Sequence, residues 1–186
     1  PSNGDIFISD GYGNSRVHKF DKDGNHQLSW GRSGTNPGQF SLPHNVTMFG
    51  DGQVIVCDRE NHRVQVFTTD GEYVKGWHVH KAVAAVSGKG DDTNVYIAEQ
   101  GPPPVQFGVA NLGHKIGIYD RDGDVIQKIG ADLPGERPDQ FNWLHSVAVD
   151  SRGNIYAAEV SYVEVGRHQD PPREFVSLRK WARVSG

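Results

Sequence analysis

The chain has 186 residues, enough for one ordinary domain, and a formal net charge of −4 from 19 Lys and Arg against 23 Asp and Glu. That balance argues against a polyanion binder, which needs a cationic surplus, and no run approaches the ~18 apolar residues of a membrane-spanning helix. The single cysteine, Cys57, excludes an internal disulfide and a Cys-cluster metal site without placing the compartment, while 23 glycines beside 10 prolines point to many tight turns.

Taken in chain order, the predicted elements repeat. GDIFISDG (4–11) is followed by NSRVHKFDKDGN (14–25). PGQFSLPHNVTM (37–48) then precedes GQVIVCDR (52–59) and NHRVQVFTTDGE (61–72). A looser copy, KAVAAVS (81–87), leads into TNVYIAEQ (93–100) and GHKIGIYDRDGD (113–124). PDQFNWLHSVAV (138–149), GNIYAAEV (153–160) and SLRKWARV (177–184) complete the series. Apolar and polar residues alternate in each, as in Val64 and Val66 or Ile116 and Ile118, which is the period of a half-buried strand. The pairs Asp23-Gly24, Asp70-Gly71 and Asp122-Gly123 predict hairpins. Each unit therefore reads as a four-stranded antiparallel meander, with strands a to d, and such units of ~40–50 residues build a β-propeller. No segment carries a convincing helical period.

The expected fold class is all-β, a propeller of four-stranded blades. The first unit starts at strand b and the last ends near strand c, so residues 1–186 are expected to be a single propeller domain of about four blades, lacking upstream blades. A complete small protein that closes by oligomerising is the other reading.

Strand alternation gathers candidate residues at one face, where b–c and d–a loops meet. His44 and His145 open strand a in equivalent repeats, and neutral imidazole is a common Zn2+ ligand. Two histidines that hydrogen-bond backbone are the structural alternative. Tyr12 is a candidate base or donor, or a turn aromatic that packs between blades. Arg59 is a candidate fork for a carboxylate, or the ion-pair partner of Asp58 or Glu60. His18, His26, His62, His114 and His168 read as surface or loop residues, and His78 and His80 as part of a d–a connection. Cys57 reads as core, the DKDG and DRDG turns as plain hairpins, and Gly101-Pro102-Pro103-Pro104 as a stiff loop.

The NxRVxxF elements resemble NHL repeats. DGYGNSRV (10–17), PGQFSLPHNV (37–46), DRENHRVQVF (58–67) and LHSVAVD (144–150) resemble the peptidyl-α-hydroxyglycine α-amidating lyases. The resemblance implies a six-bladed propeller with an axial zinc on three histidines. It places two ligands at His44 and His145, and the third outside this chain. It also implies a catalytic role for Tyr12 and a substrate-binding role for Arg59. The chemistry implied is C–N cleavage of a peptidyl-α-hydroxyglycine to an amide and glyoxylate. The partner expected is thus a small-molecule or peptide substrate, with no nucleic acid and no membrane insertion; the oligomeric state stays open. Gly13 and Val66 stand where the family has cysteines, and Trp143 where it has a methionine. Ser146 replaces an Asp that helps hold a structural calcium, leaving that calcium short of a ligand. A non-catalytic NHL binding scaffold and a calcium-dependent propeller hydrolase are the other functional readings.

Overall fold

A computed structural model describes residues 1–50 and 52–184. It divides into two compact units, Pro1–Ser87 and Gly88–Gly186. In the first, β1 (Ile6–Asp10), β2 (Arg16–Phe20) and β3 (His26–Trp30) form an antiparallel sheet. A second sheet runs β4 (Pro43–Phe49), β5 (Gln53–Asp58), β6 (Arg63–Thr68) and β7 (Tyr73–His78), all antiparallel. The next strand, β8 (Ala82–Ser87), ends the unit. In the second unit, β9 (Val95–Glu99), β10 (Lys115–Tyr119) and β11 (Val125–Ile129) form one antiparallel meander. Another comprises β12 (Leu144–Val149), β13 (Ile155–Glu159) and β14 (Leu178–Trp181).

The repeats fold alike. The segments 14–25, 61–72 and 113–124 carry the hairpins β2–β3, β6–β7 and β10–β11. In each turn the glycine has positive φ, at 84° in Gly24, 82° in Gly71 and 95° in Gly123. Each glycine N–H donates back across the turn, to Asp21, Thr68 and Asp120 respectively, and the ladder slips one residue beside the aromatic anchor. A type I turn closed by a left-handed glycine does this, because the glycine adopts φ > 0 without a Cβ penalty. Among the described residues helix appears only as brief turns in connections, including Ser161–Glu164 between β13 and β14, where the sequence shows no helical period.

The apolar alternation becomes core. Val17, Phe40, Val54, Val56 and Phe67 are fully buried in the first unit, with Phe7, Trp30, Val46 and Met48 packed against them. The repeated Gln-Phe loops dock onto the anchors: Phe40 lies 5.6 Å from Phe67, and Phe141 5.4 Å from Trp181, centroid to centroid. Cys57 is fully buried, and that burial pushes its thiol far above the usual range, so it is an unreactive core residue. His114 departs from expectation. It is buried, not exposed, because Gly101 passes directly over its ring and donates its N–H to His114 Nδ1 at 2.8 Å.

Candidate active site

The site in the first unit begins with a buried carboxylate. Asp58, at the end of β5, is fully buried. Its Oδ1 accepts the Ser41 N–H at 2.7 Å. Its Oδ2 accepts from Asn61 at 2.8 Å, Arg63 Nε at 2.7 Å and Gln65 at 3.1 Å. Four donors converge on one carboxylate, which is how a buried charge is made tolerable. Arg63 spends its remaining donors on the carbonyls of Thr35, Asn36 and Gln39. The loop entering β4 is thereby tied to the turn Arg59–Asn61, and the backbone seals the joint: Arg59 N–H donates to Leu42 O at 3.2 Å, and Glu60 N–H to Ser41 O at 3.0 Å. Of the two acids weighed as partners for Arg59, Asp58 belongs to Arg63; Arg59 Nε donates to Glu60 at 2.8 Å.

His44 follows directly. The β4–β5 ladder slips between Pro43 and Asn45, so His44 is the extra residue of a bulge. Bulges re-aim a side chain, and they recur beside active sites. His44 Nδ1 lies 2.6 Å from Val83 O. A carbonyl only accepts, so Nδ1 carries the proton and the neutral ring keeps its lone pair on Nε2, the tautomer a metal ligand needs. The Tyr12 ring meets His44 edge-on at 6.0 Å, and the Arg59 guanidinium lies 5.9 Å from the Tyr12 centroid. Tyr12 is 79% exposed, so it is not a packed core aromatic. The turn that carries it rests on His44's neighbour: a Cβ on Gly11 would stand 3.0 Å from the Pro43 carbonyl carbon.

The second unit repeats the device. The β12–β13 ladder slips between Leu144 and Ser146, which makes His145 the extra residue of an equivalent bulge. Glu159 takes the place of Asp58, accepting the N–H groups of Asn142 and Trp143 and Arg179 Nε at 2.8 Å. Arg179 reaches the loop carbonyls of Gly135, Glu136 and Arg137, as Arg63 does in its own loop. Val160 N–H bonds Trp143 O, so Val160 holds the backbone position of Arg59. The structure thus brings Tyr12, His44 and Arg59 together and sets His145 in the matching place of the other unit. Among the described residues no group of three or more His, Cys, Asp or Glu converges as a metal site.

The arginine clamps were only half visible in sequence. The sequence carries a carboxylate near the end of each of GDIFISDG, GQVIVCDR, TNVYIAEQ and GNIYAAEV, but the arginine partner lies five residues on from Asp58, at Arg63, and twenty on from Glu159, at Arg179.

Comparisons with known proteins bear on the family and the fold. The NHL repeat family matches residues 40–67, the stretch from the Gln-Phe loop to the Phe67 anchor. The chain is 30% identical over 199 aligned positions to peptidyl-glycine alpha-amidating monooxygenase B of Xenopus laevis, covering 97% of this chain and 21% of that protein. It is 31% identical to peptidyl-alpha-hydroxyglycine alpha-amidating lyase 1 of Drosophila melanogaster, covering 88% of this chain and 32% of that one. The chain therefore spans about a fifth to a third of the length of these relatives. In fold it matches the WD40 beta propeller domain of Doa1 with a TM-score of 0.56 at 12% identity, over 85% of this chain and 44% of that one. The chain has the fold of a β-propeller, carries an NHL repeat at residues 40–67, and is similar to the amidating lyases along most of its length.

Proposed function

We propose that this chain supplies part of the active site of a lyase that cleaves a peptidyl-α-hydroxyglycine to a peptide amide and glyoxylate. Residues 1–186 would belong to one propeller domain, six-bladed as the resemblance implies. The observation that carries the reading is the convergence of Tyr12, His44 and Arg59 at one end of the first unit. Relatives named for amidation support the same reaction class.

His44 and His145 suit a zinc ion: one imidazole presents its Nε2 lone pair, and the other occupies the same kind of bulge. A third ligand is expected from outside residues 1–186. When bound, zinc supplies Lewis-acid polarisation of the substrate oxygen. As the phenolate, Tyr12 Oη would take the proton of the substrate hydroxyl, the O–H electron pair becoming the new C=O bond as the C–N pair leaves on nitrogen; Tyr12 would then return that proton to the amide nitrogen and be phenolate again. Arg59, anchored at Nε by Glu60, directs its Nη1–Nη2 edge to the substrate carboxylate. The test is glyoxylate release from a peptidyl-α-hydroxyglycine. Tyr12→Phe is expected to lower kcat about 10²–10⁴-fold, the usual range for a lost acid–base group. Undiminished turnover in Tyr12→Phe would remove Tyr12 from the mechanism.

A further inference from the structure

We infer that His62 and His80 form a second, separate site for a divalent transition-metal ion, bound through both Nδ1 atoms. The two Nδ1 atoms face each other at 3.2 Å, with ring centroids 4.8 Å apart. Bonds of ~2.0–2.1 Å to one metal put two nitrogens about 2.8 Å apart at a right angle and about 3.4 Å apart at the tetrahedral angle. The observed gap lies between these limits. In the metal-free pair one ring donates its Nδ1–H to the other; binding a cation through both Nδ1 atoms shifts the donor ring to its other tautomer, losing the Nδ1 proton to solvent and taking one up at Nε2, so both rings stay neutral and no net proton is released.

The backbone holds the pair. His62 sits at φ 52°, fixed by its N–H to Arg59 O and by Val79 N–H to its own carbonyl at 3.0 Å. Val79 immediately precedes His80, so one hydrogen bond sets the spacing of the two rings. His78 stacks on His62 at 6.4 Å with 12° between planes, at the exposed end of β7, so it packs against the pair without joining it as a ligand. His62 also lines an open cleft of about 300 Å³, beside His78. Burial holds the His62 pKa below the ordinary imidazole value; the charge of Lys81 adds to this and Glu60 works against it. A neutral ring at physiological pH is the ligating form.

Cu2+ is the probe, because two imidazoles with aqueous positions favour it over other first-row ions. It is titrated into a His44→Ala/His145→Ala protein, so that the site proposed above does not contribute. Electron paramagnetic resonance is expected to show one bound ion with two imidazole nitrogens. His62→Asn, chosen because Asn tolerates positive φ, and His80→Gln should each leave one nitrogen and weaken binding at least tenfold. Should circular dichroism show either variant unfolded, the wild-type imidazole 15N resonances decide: Zn2+ must shift Nδ1 of His62 and His80 together. A two-nitrogen signal that survives both substitutions, or Nδ1 resonances unmoved by millimolar Zn2+, would overturn the site. Neither result bears on glyoxylate release.

Discussion

Tyr12, His44 and Arg59 were all legible as single residues, because the motifs around them are specific. Their support was not. Gly11 is the example: its neighbour across space is Pro43, thirty-two positions on, and no local pattern announces that contact. Gly11→Ala would drive a methyl into the Pro43 backbone and push the Tyr12 turn off His44. Activity is expected to fall at least tenfold, with a crystal structure showing Tyr12 displaced; unchanged turnover would mean that the turn yields freely. Arg59→Lys keeps the charge and loses the planar fork. KM is expected to rise about tenfold with kcat less affected, measured by steady-state glyoxylate release.

The hairpins were readable as elements, since an Asp-Gly between alternating runs has few other solutions. The bulges at His44 and His145 were not, because one extra residue at a strand end leaves the apolar alternation intact. Their cause is tertiary, in the clamp that pulls the preceding loop onto Asp58 or Glu159. Breaking a buried ion pair from one side typically costs ~3–5 kcal/mol. Asp58→Ala is therefore expected to destabilise the protein by about that amount in urea titrations. Asp58→Asn, which still accepts the Ser41 N–H, should cost less. The β12–β13 turn makes a separate prediction. Asp150 accepts from Asn154, Arg152 and Tyr156, which hold its pKa down at about 2, against 3.8 for the free side chain. A carboxylate with a depressed folded pKa contributes stability that is fully present above the unfolded value and lost as pH falls through the folded one. Stability should thus drop between about pH 4 and pH 2, and Asp150→Asn should flatten that part of a Tm-against-pH profile.

For the molecule as a whole, the propeller fold followed from repetition, which no single strand could have shown. The proposed zinc site is less legible at this scale, because the order of His44 and His145 along the chain does not measure their separation. The central claim is that His44 and His145 share one zinc ion beside Tyr12 and Arg59. Anomalous scattering at the zinc edge from crystals of the zinc-loaded protein tests it most directly. The account predicts a single strong peak at ~2.0–2.1 Å from Nε2 of both histidines. A map with no peak at either imidazole, or with His44 and His145 on separate ions, would contradict it and favour a non-catalytic NHL scaffold.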